Sequence, residues 1–147
     1  MKKHTSRTPS ETHEIASKVL KELPKGTILC LYGQLGAGKT TFTKGLALAI
    51  GLPDQLIKSP TYTYIREIEF EGKTIFHCDL YRLEGKPSAA LEMITELMAR
   101  PHDLMIIEWA EYLGKYIPEN RVDIYMTVKN ETTRDIAVQH RYKKRTT

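Results

Sequence analysis

A chain of 147 residues has room for one domain around one hydrophobic core and not for two. Its 41% hydrophobic and 27% charged residues are those of a water-soluble globular protein. No apolar run approaches the roughly 20 residues a bilayer crossing needs, which excludes a helical membrane protein. The net charge of +4 gathers at the two ends. The charged start Met1-Lys2-Lys3-His4-Thr5 leads into no apolar signal core, so export is not expected. Two cysteines, Cys30 and Cys78, are too few for a disulfide framework or a zinc site and read as core thiols of a cytoplasmic protein.

In chain order, residues 1–7 read as a flexible N-terminus, 8–140 as the folded domain and 141–147 as a basic tail. Basic tails touch RNA phosphates in some proteins and are plain solvated chain in most. Thr8-Pro9-Ser10-Glu11 is a helix start: a capping threonine, a proline at the first helical position and a glutamate at the third. Ile15, Val19, Leu20 and Leu23 continue it at helical spacing until Pro24. The run Thr27-Ile28-Leu29-Cys30-Leu31-Tyr32 is apolar throughout, as in a strand buried on both faces. A glycine-rich turn then leads into a helix from Lys39 to Ile50, closed by Gly51. Strands are expected over 61–70 and 73–79, joined at Glu71-Gly72, and a helix over 87–100. Leu104-Met105-Ile106-Ile107 is a second short buried strand. The alternation over 121–129 predicts a half-exposed strand, followed by another over 135–139. The fold class is therefore α/β: a single nucleotide-binding domain with a mixed sheet, parallel strands around the glycine loop and antiparallel strands added at the edges.

Gly33-Gln34-Leu35-Gly36-Ala37-Gly38-Lys39-Thr40 fits G-x-x-x-x-G-K-[ST] at every fixed position, between a buried strand and a helix. Glycines let successive backbone N–H groups turn inward around phosphate oxygens. The candidate phosphate cradle is thus Gly33, Leu35, Gly36, Ala37, Gly38, Lys39, Thr40 and Thr41. Lys39 supplies a charge for the β and γ phosphates and is expected to stand exposed while the loop is empty. The Thr40 hydroxyl is a magnesium ligand, and the helix start favours an anion. Guanine-reading proteins carry [NT]-K-x-D and D-x-x-G. Here Thr43-Lys44-Gly45-Leu46 and Val128-Lys129-Asn130-Glu131 lack the aspartate, and no aspartate has a glycine three residues on. ATP with Mg2+ is the expected cofactor.

Such a loop needs a carboxylate at the end of a neighbouring buried strand. Glu108, after four apolar residues, is the sharper candidate, and Asp79, closing Ile75-Phe76-His77-Cys78, is the second. Ser59-Pro60-Thr61-Tyr62-Thr63 reads either as a loop that senses the γ phosphate or as a plain strand entry. Trp109 reads as a core anchor or as a flat surface beside a nucleotide or partner. His77, with no partner in the sequence, reads as a packed histidine.

Together these segments resemble the bacterial TsaE (YjeE) family. The resemblance rests on Tyr32 to Phe42, Lys58-Ser59-Pro60-Thr61-Tyr62-Thr63, His77-Cys78-Asp79-Leu80-Tyr81-Arg82-Leu83 and Ile107-Glu108-Trp109-Ala110-Glu111, and it spans residues 8–140. It implies an ATPase needed to form the threonylcarbamoyl group on adenosine 37 of tRNA. Such a subunit works with the TsaB and TsaD proteins, which carry the group to tRNA, and touches tRNA indirectly, with no role for DNA or membrane. It further implies that Lys39, Asp79 and Glu108 are catalytic, that Thr40 and Glu108 hold the metal, and that Ser10, Thr12 and Arg134 lie near the adenine. Two departures stand out: Gln34 replaces a common aspartate, and 88–100 lacks a usual glycine. A small P-loop kinase is the rival enzyme, but kinases close an arginine-rich lid, and Arg66, Arg82, Arg100, Arg121 and Arg134 are scattered. No arginine finger is evident beside the loop, so hydrolysis is expected to be weak alone and stimulated by partners. The non-catalytic alternative is an assembly module switched by ATP occupancy.

Overall fold

Thr8 starts the first helix by the chemistry its sequence announces. Its backbone is extended (φ −145°, ψ 157°), and its hydroxyl accepts the Glu11 N–H at 3.0 Å. The Glu11 carboxylate in turn accepts the Arg7 N–H at 2.7 Å. These bonds satisfy donors that a helix start otherwise leaves unpaired. The computed structural model describes residues 1–52, 65–83 and 89–142. Within them lie β1 (Lys2–Ser6), α1 (Pro9–Lys21), β2 (Thr27–Tyr32), α2 (Lys39–Ile50), β3 (Ile65–Phe70), β4 (Lys73–Asp79), α3 (Ala89–Ala99), β5 (Leu104–Glu108), β6 (Arg121–Val128) and β7 (Arg134–Arg141). Short 3-10 turns follow β4 (Tyr81–Leu83) and β5 (Ala110–Tyr116).

The strands form one mixed sheet in the order β1-β7-β6-β2-β5-β4-β3. β2 pairs in parallel with β5 and β6, and β4 with β5; the outer pairs are antiparallel. Parallel strands need crossover connections that place helices against the sheet, so the central strands are buried on both faces and read as unbroken apolar runs. Helices α1 and α2 cover one face, where Leu29, Leu31, Phe42, Leu46, Ile106 and Ile124 pack. Helix α3 and the 3-10 turn after β5 cover the other, over Cys30, Phe76, Cys78, Met105 and Ile107. Burial pushes the thiols of both cysteines up to about 12, which suits inert core residues. Gly45 lets α1 and α2 meet closely, since a Cβ there would stand 2.8 Å from the His13 Cα.

Three expectations are corrected. Residues 1–7, expected to be flexible, hold β1, which runs antiparallel to β7 with Lys2 opposite Val138 and Ser6 opposite Arg134. Its lysines hide an alternation in which His4 and Ser6 turn inward, and it pairs a β7 edge that would otherwise be open. Arg141, assigned to the basic tail, is the last residue of β7; 143–147 lie outside the described residues. Strand β6 is less exposed than its alternation suggests, because Asp123 on its polar face is fully buried. Expected strand residues 61–64 and helix residues 87–88 also lie outside the described residues.

A buried carboxylate is tolerated when it is paired and hydrogen-bonded. Asp123 accepts bonds from Arg121 Nε at 2.9 Å, the Tyr32 hydroxyl at 3.0 Å, the Tyr125 hydroxyl at 3.3 Å and Arg141 Nε. Removing one member of such a set strands the others. Asp123→Ala is expected to lower the unfolding free energy by on the order of 3 kcal/mol. Urea unfolding checks this, and an unchanged midpoint would show that the cluster adds nothing to stability.

Candidate functional site

The parallel register brings three strand ends to one level. Leu31 of β2 and Asp79 of β4 both lie opposite Glu108 of β5. The Gly33–Thr40 loop and both acids therefore meet at the carboxyl edge of the sheet, where open α/β sheets bind their ligands. Gly33 passes so close to β6 that a Cβ there would stand 2.6 Å from the Met126 carbonyl. Gly36 and Gly38 take φ of +82° and +102°, left-handed conformations that favour glycine. α2 begins directly at Lys39, so its positive dipole end faces the same space.

That space is a cavity of about 410 Å³ lined by loop residues from Leu35 to Thr41 and by Asp79, Tyr81, Arg82, Glu108 and Trp109. The Thr40 hydroxyl donates to Glu108 Oε1 at 3.4 Å. Asp79 Oδ1 accepts the Tyr81 N–H at 3.0 Å. Burial raises the pKa of the Asp79 carboxyl above its ordinary value, and the negative Glu108 adds to the rise, while the Tyr81 N–H opposes it.

Lys39 departs from expectation. It is buried rather than exposed: its ammonium donates to the carbonyls of Gly33 and Gln34 and lies 3.6 Å from the centre of the Trp109 ring. Burial pulls its pKa down, opposed by the charges of Glu111, Glu108 and Asp79. Trp109 is therefore a flat platform at the cavity and not a simple core anchor. It holds a left-handed backbone (φ 58°), a conformation that costs a non-glycine residue on the order of 1 kcal/mol, and it packs against Tyr81 and Tyr112.

A second cavity of about 310 Å³ adjoins the loop and shares Gly36, Gly38 and Thr41 with the first. Thr12 and Arg134 line it, and Arg134 donates to the Gly36 carbonyl at 3.2 Å. The Thr12 hydroxyl is tied to that of Ser6 at 2.6 Å. Ser10 is exposed on the first turn of α1 and does not line this cavity. Residues 59–63 lie outside the described residues.

Three residues gain a place that sequence reasoning did not assign. Arg82 reaches the wall of the first cavity, although the arginines looked scattered along the chain. Arg7 reaches the second. His77, read as merely packed, pairs with Glu108: its Nε2 lies 2.6 Å from Oε2, and both side chains are buried. The spacing shows that His77, two residues before Asp79, shares its strand face, but not that Glu108 lies beside it.

A strand, a glycine loop and a helix at the carboxyl edge of a mixed sheet, with acids ending two neighbouring parallel strands, define a P-loop α/β protein. The family model described as "Threonylcarbamoyl adenosine biosynthesis protein TsaE" matches residues 6–136. The chain belongs to that family. It is 33% identical to the tRNA threonylcarbamoyladenosine biosynthesis protein TsaE of Bacillus subtilis, covering 91% of this chain and 84% of that protein. It is 35% identical to the protein of the same name from Treponema pallidum, covering 90% and 96%. The crystal structure of Bacillus subtilis YdiB superposes with a TM-score of 0.76 at 28% identity, covering 96% of this chain and 86% of that one. Among the described residues no helix is long and apolar enough to cross a membrane.

Proposed function

We propose that this chain binds ATP with magnesium and hydrolyses it as a cytoplasmic subunit of the machinery that forms threonylcarbamoyladenosine at position 37 of tRNA, acting with TsaB and TsaD. The observation that carries the reading is the convergence of Lys39, Thr40, Asp79 and Glu108 on one cavity at the start of α2. Inward N–H groups of the loop bind the β and γ phosphates, and Lys39 leaves its carbonyls to neutralise them. The second cavity takes the adenosine end, with Thr12 and Arg134 in its wall and Ser10 set aside. ATP is favoured over GTP because the base-reading aspartate motifs are absent.

The residues suit magnesium. A hydroxyl and a carboxylate 3.4 Å apart are hard oxygen donors, and no cage of three or more acidic, histidine or cysteine side chains stands among the described residues. Magnesium is usually held in this way, by one or two protein oxygens with phosphates and water completing its shell. When bound, the ion would neutralise charge on the phosphates. Thr40 and Glu108 would hold it. Asp79, beside Glu108 and with its pKa raised by burial, is placed to orient water or take its proton.

The two acids should then separate in experiment. Glu108→Ala is expected to raise the magnesium needed for half-maximal hydrolysis about tenfold or more. Asp79→Ala should leave that requirement in place and slow hydrolysis about 100-fold. Magnesium titrations of both variants check this, and a Glu108→Ala curve that overlays the wild type would overturn the metal assignment.

A further inference from the structure

Glu108, in the wall of the first cavity, is backed by a buried residue that the mechanism above does not use. His77 is fully buried on β4, and its Nε2 meets Glu108 Oε2 at 2.6 Å. The other oxygen of the same carboxylate faces the Thr40 hydroxyl. An ionised carboxylate only accepts hydrogen bonds, so Nε2 must carry the proton and donate. Nδ1 has no partner among the described residues. A carboxylate on a Glu side chain has three rotatable bonds, and a short buried hydrogen bond to one oxygen removes most of that freedom.

We propose that His77 is the positioning residue that fixes the rotamer of Glu108, keeping Oε2 occupied and turning Oε1 toward Thr40 and the metal position. It touches neither nucleotide nor metal and acts only through Glu108. The proposal rests on the reading of Thr40 and Glu108 as metal ligands. Hydrogen-bonded partners of ligating carboxylates orient them, and their loss costs about 10- to 100-fold in metal affinity.

The test is binding of a fluorescent, non-hydrolysable ATP analogue as a function of magnesium, in the full chain, with thermal melts confirming that each variant folds. His77→Leu is expected to raise the half-saturating magnesium about tenfold. His77→Gln, whose amide places a donor near the Nε2 position, should stay within about threefold of the wild type. The double variant His77→Leu/Glu108→Gln should shift no further than Glu108→Gln alone, because both changes remove one interaction. A wild-type curve for His77→Leu beside a shifted Glu108→Gln, or shifts that add in the double variant, overturns the positioning role and leaves the metal assignment standing. An unshifted Glu108→Gln overturns the metal assignment, and the positioning role with it. Should His77→Leu not fold, histidine 15N spectra of the wild type decide: an Nε2–H tautomer whose signal moves on Glu108→Gln supports the proposal, and an Nδ1–H tautomer overturns it.

Discussion

Lys39→Ala is expected to lower ATP affinity about 100-fold while the chain stays folded. Hydrogen bonds to charged groups are worth about 1.5–3 kcal/mol each, and the lysine would make them to two phosphates inside a partly enclosed cavity. The ammonium is already held by the carbonyls of Gly33 and Gln34 and by the face of Trp109. Those contacts tie the loop to itself and to Trp109 at the cavity wall, whereas the core beneath is packed by Leu31, Phe42 and Leu46. Titration with a fluorescent ATP analogue gives the affinity. The single tryptophan, Trp109, reports the loss of the cation above its ring. Unchanged binding in a folded variant would remove this loop as the nucleotide site.

The second large effect concerns rate. Hydrolysis by the chain alone is expected to be slow and to rise 100-fold or more when TsaB and TsaD are added. Each acid in the cavity has a prior engagement: Glu108 with His77 and Thr40, Asp79 with the Tyr81 N–H. Lys39 is drawn toward Trp109. Arg82 adds a cation to the cavity wall, but its side chain is exposed and the transition state must be shielded from water. A partner that covers Tyr81, Arg82 and Trp109 would exclude that water and turn the arginine toward the phosphates. A correctly placed arginine alone is worth about 10³–10⁵ in such reactions. Steady-state phosphate release, with and without the pair, measures the effect. Equal rates would leave a nucleotide binder without partner-driven turnover.

The central fold was legible because its signals are local and redundant. The cap at Thr8, the bounds of β2 and α2 and the close at Gly51 each follow from neighbouring residues, and the buried parallel strands show as unbroken apolar runs. Strand β1 was not legible. Two lysines in a five-residue stretch resemble solvated chain, and only pairing with β7, more than 120 residues away, makes it a strand. The acids of the site were legible by position at strand ends, but their partners were not. His77 meets Glu108 because β4 lies beside β5, a pairing that no spacing in the chain encodes. Asp123 was missed for the same reason, since its ligands come from β2, β6 and β7. Lys39 was expected to be exposed because the position of Trp109 above it depends on a left-handed turn that the residue type disfavours.

Nucleotide in this loop and the partner pair are expected to be coupled through one surface. Coupling between two binding sites is reciprocal, so a pair that favours the ATP-bound chain must itself be bound more tightly when ATP is present. Calorimetric titration of the TsaB–TsaD pair into the chain, with magnesium and a non-hydrolysable ATP analogue and again without nucleotide, measures this directly. The expected result is affinity at least about tenfold tighter with the analogue, a coupling of about 1.4 kcal/mol, and no such gain for Lys39→Ala. Equal affinities in both states for the wild-type chain would contradict it.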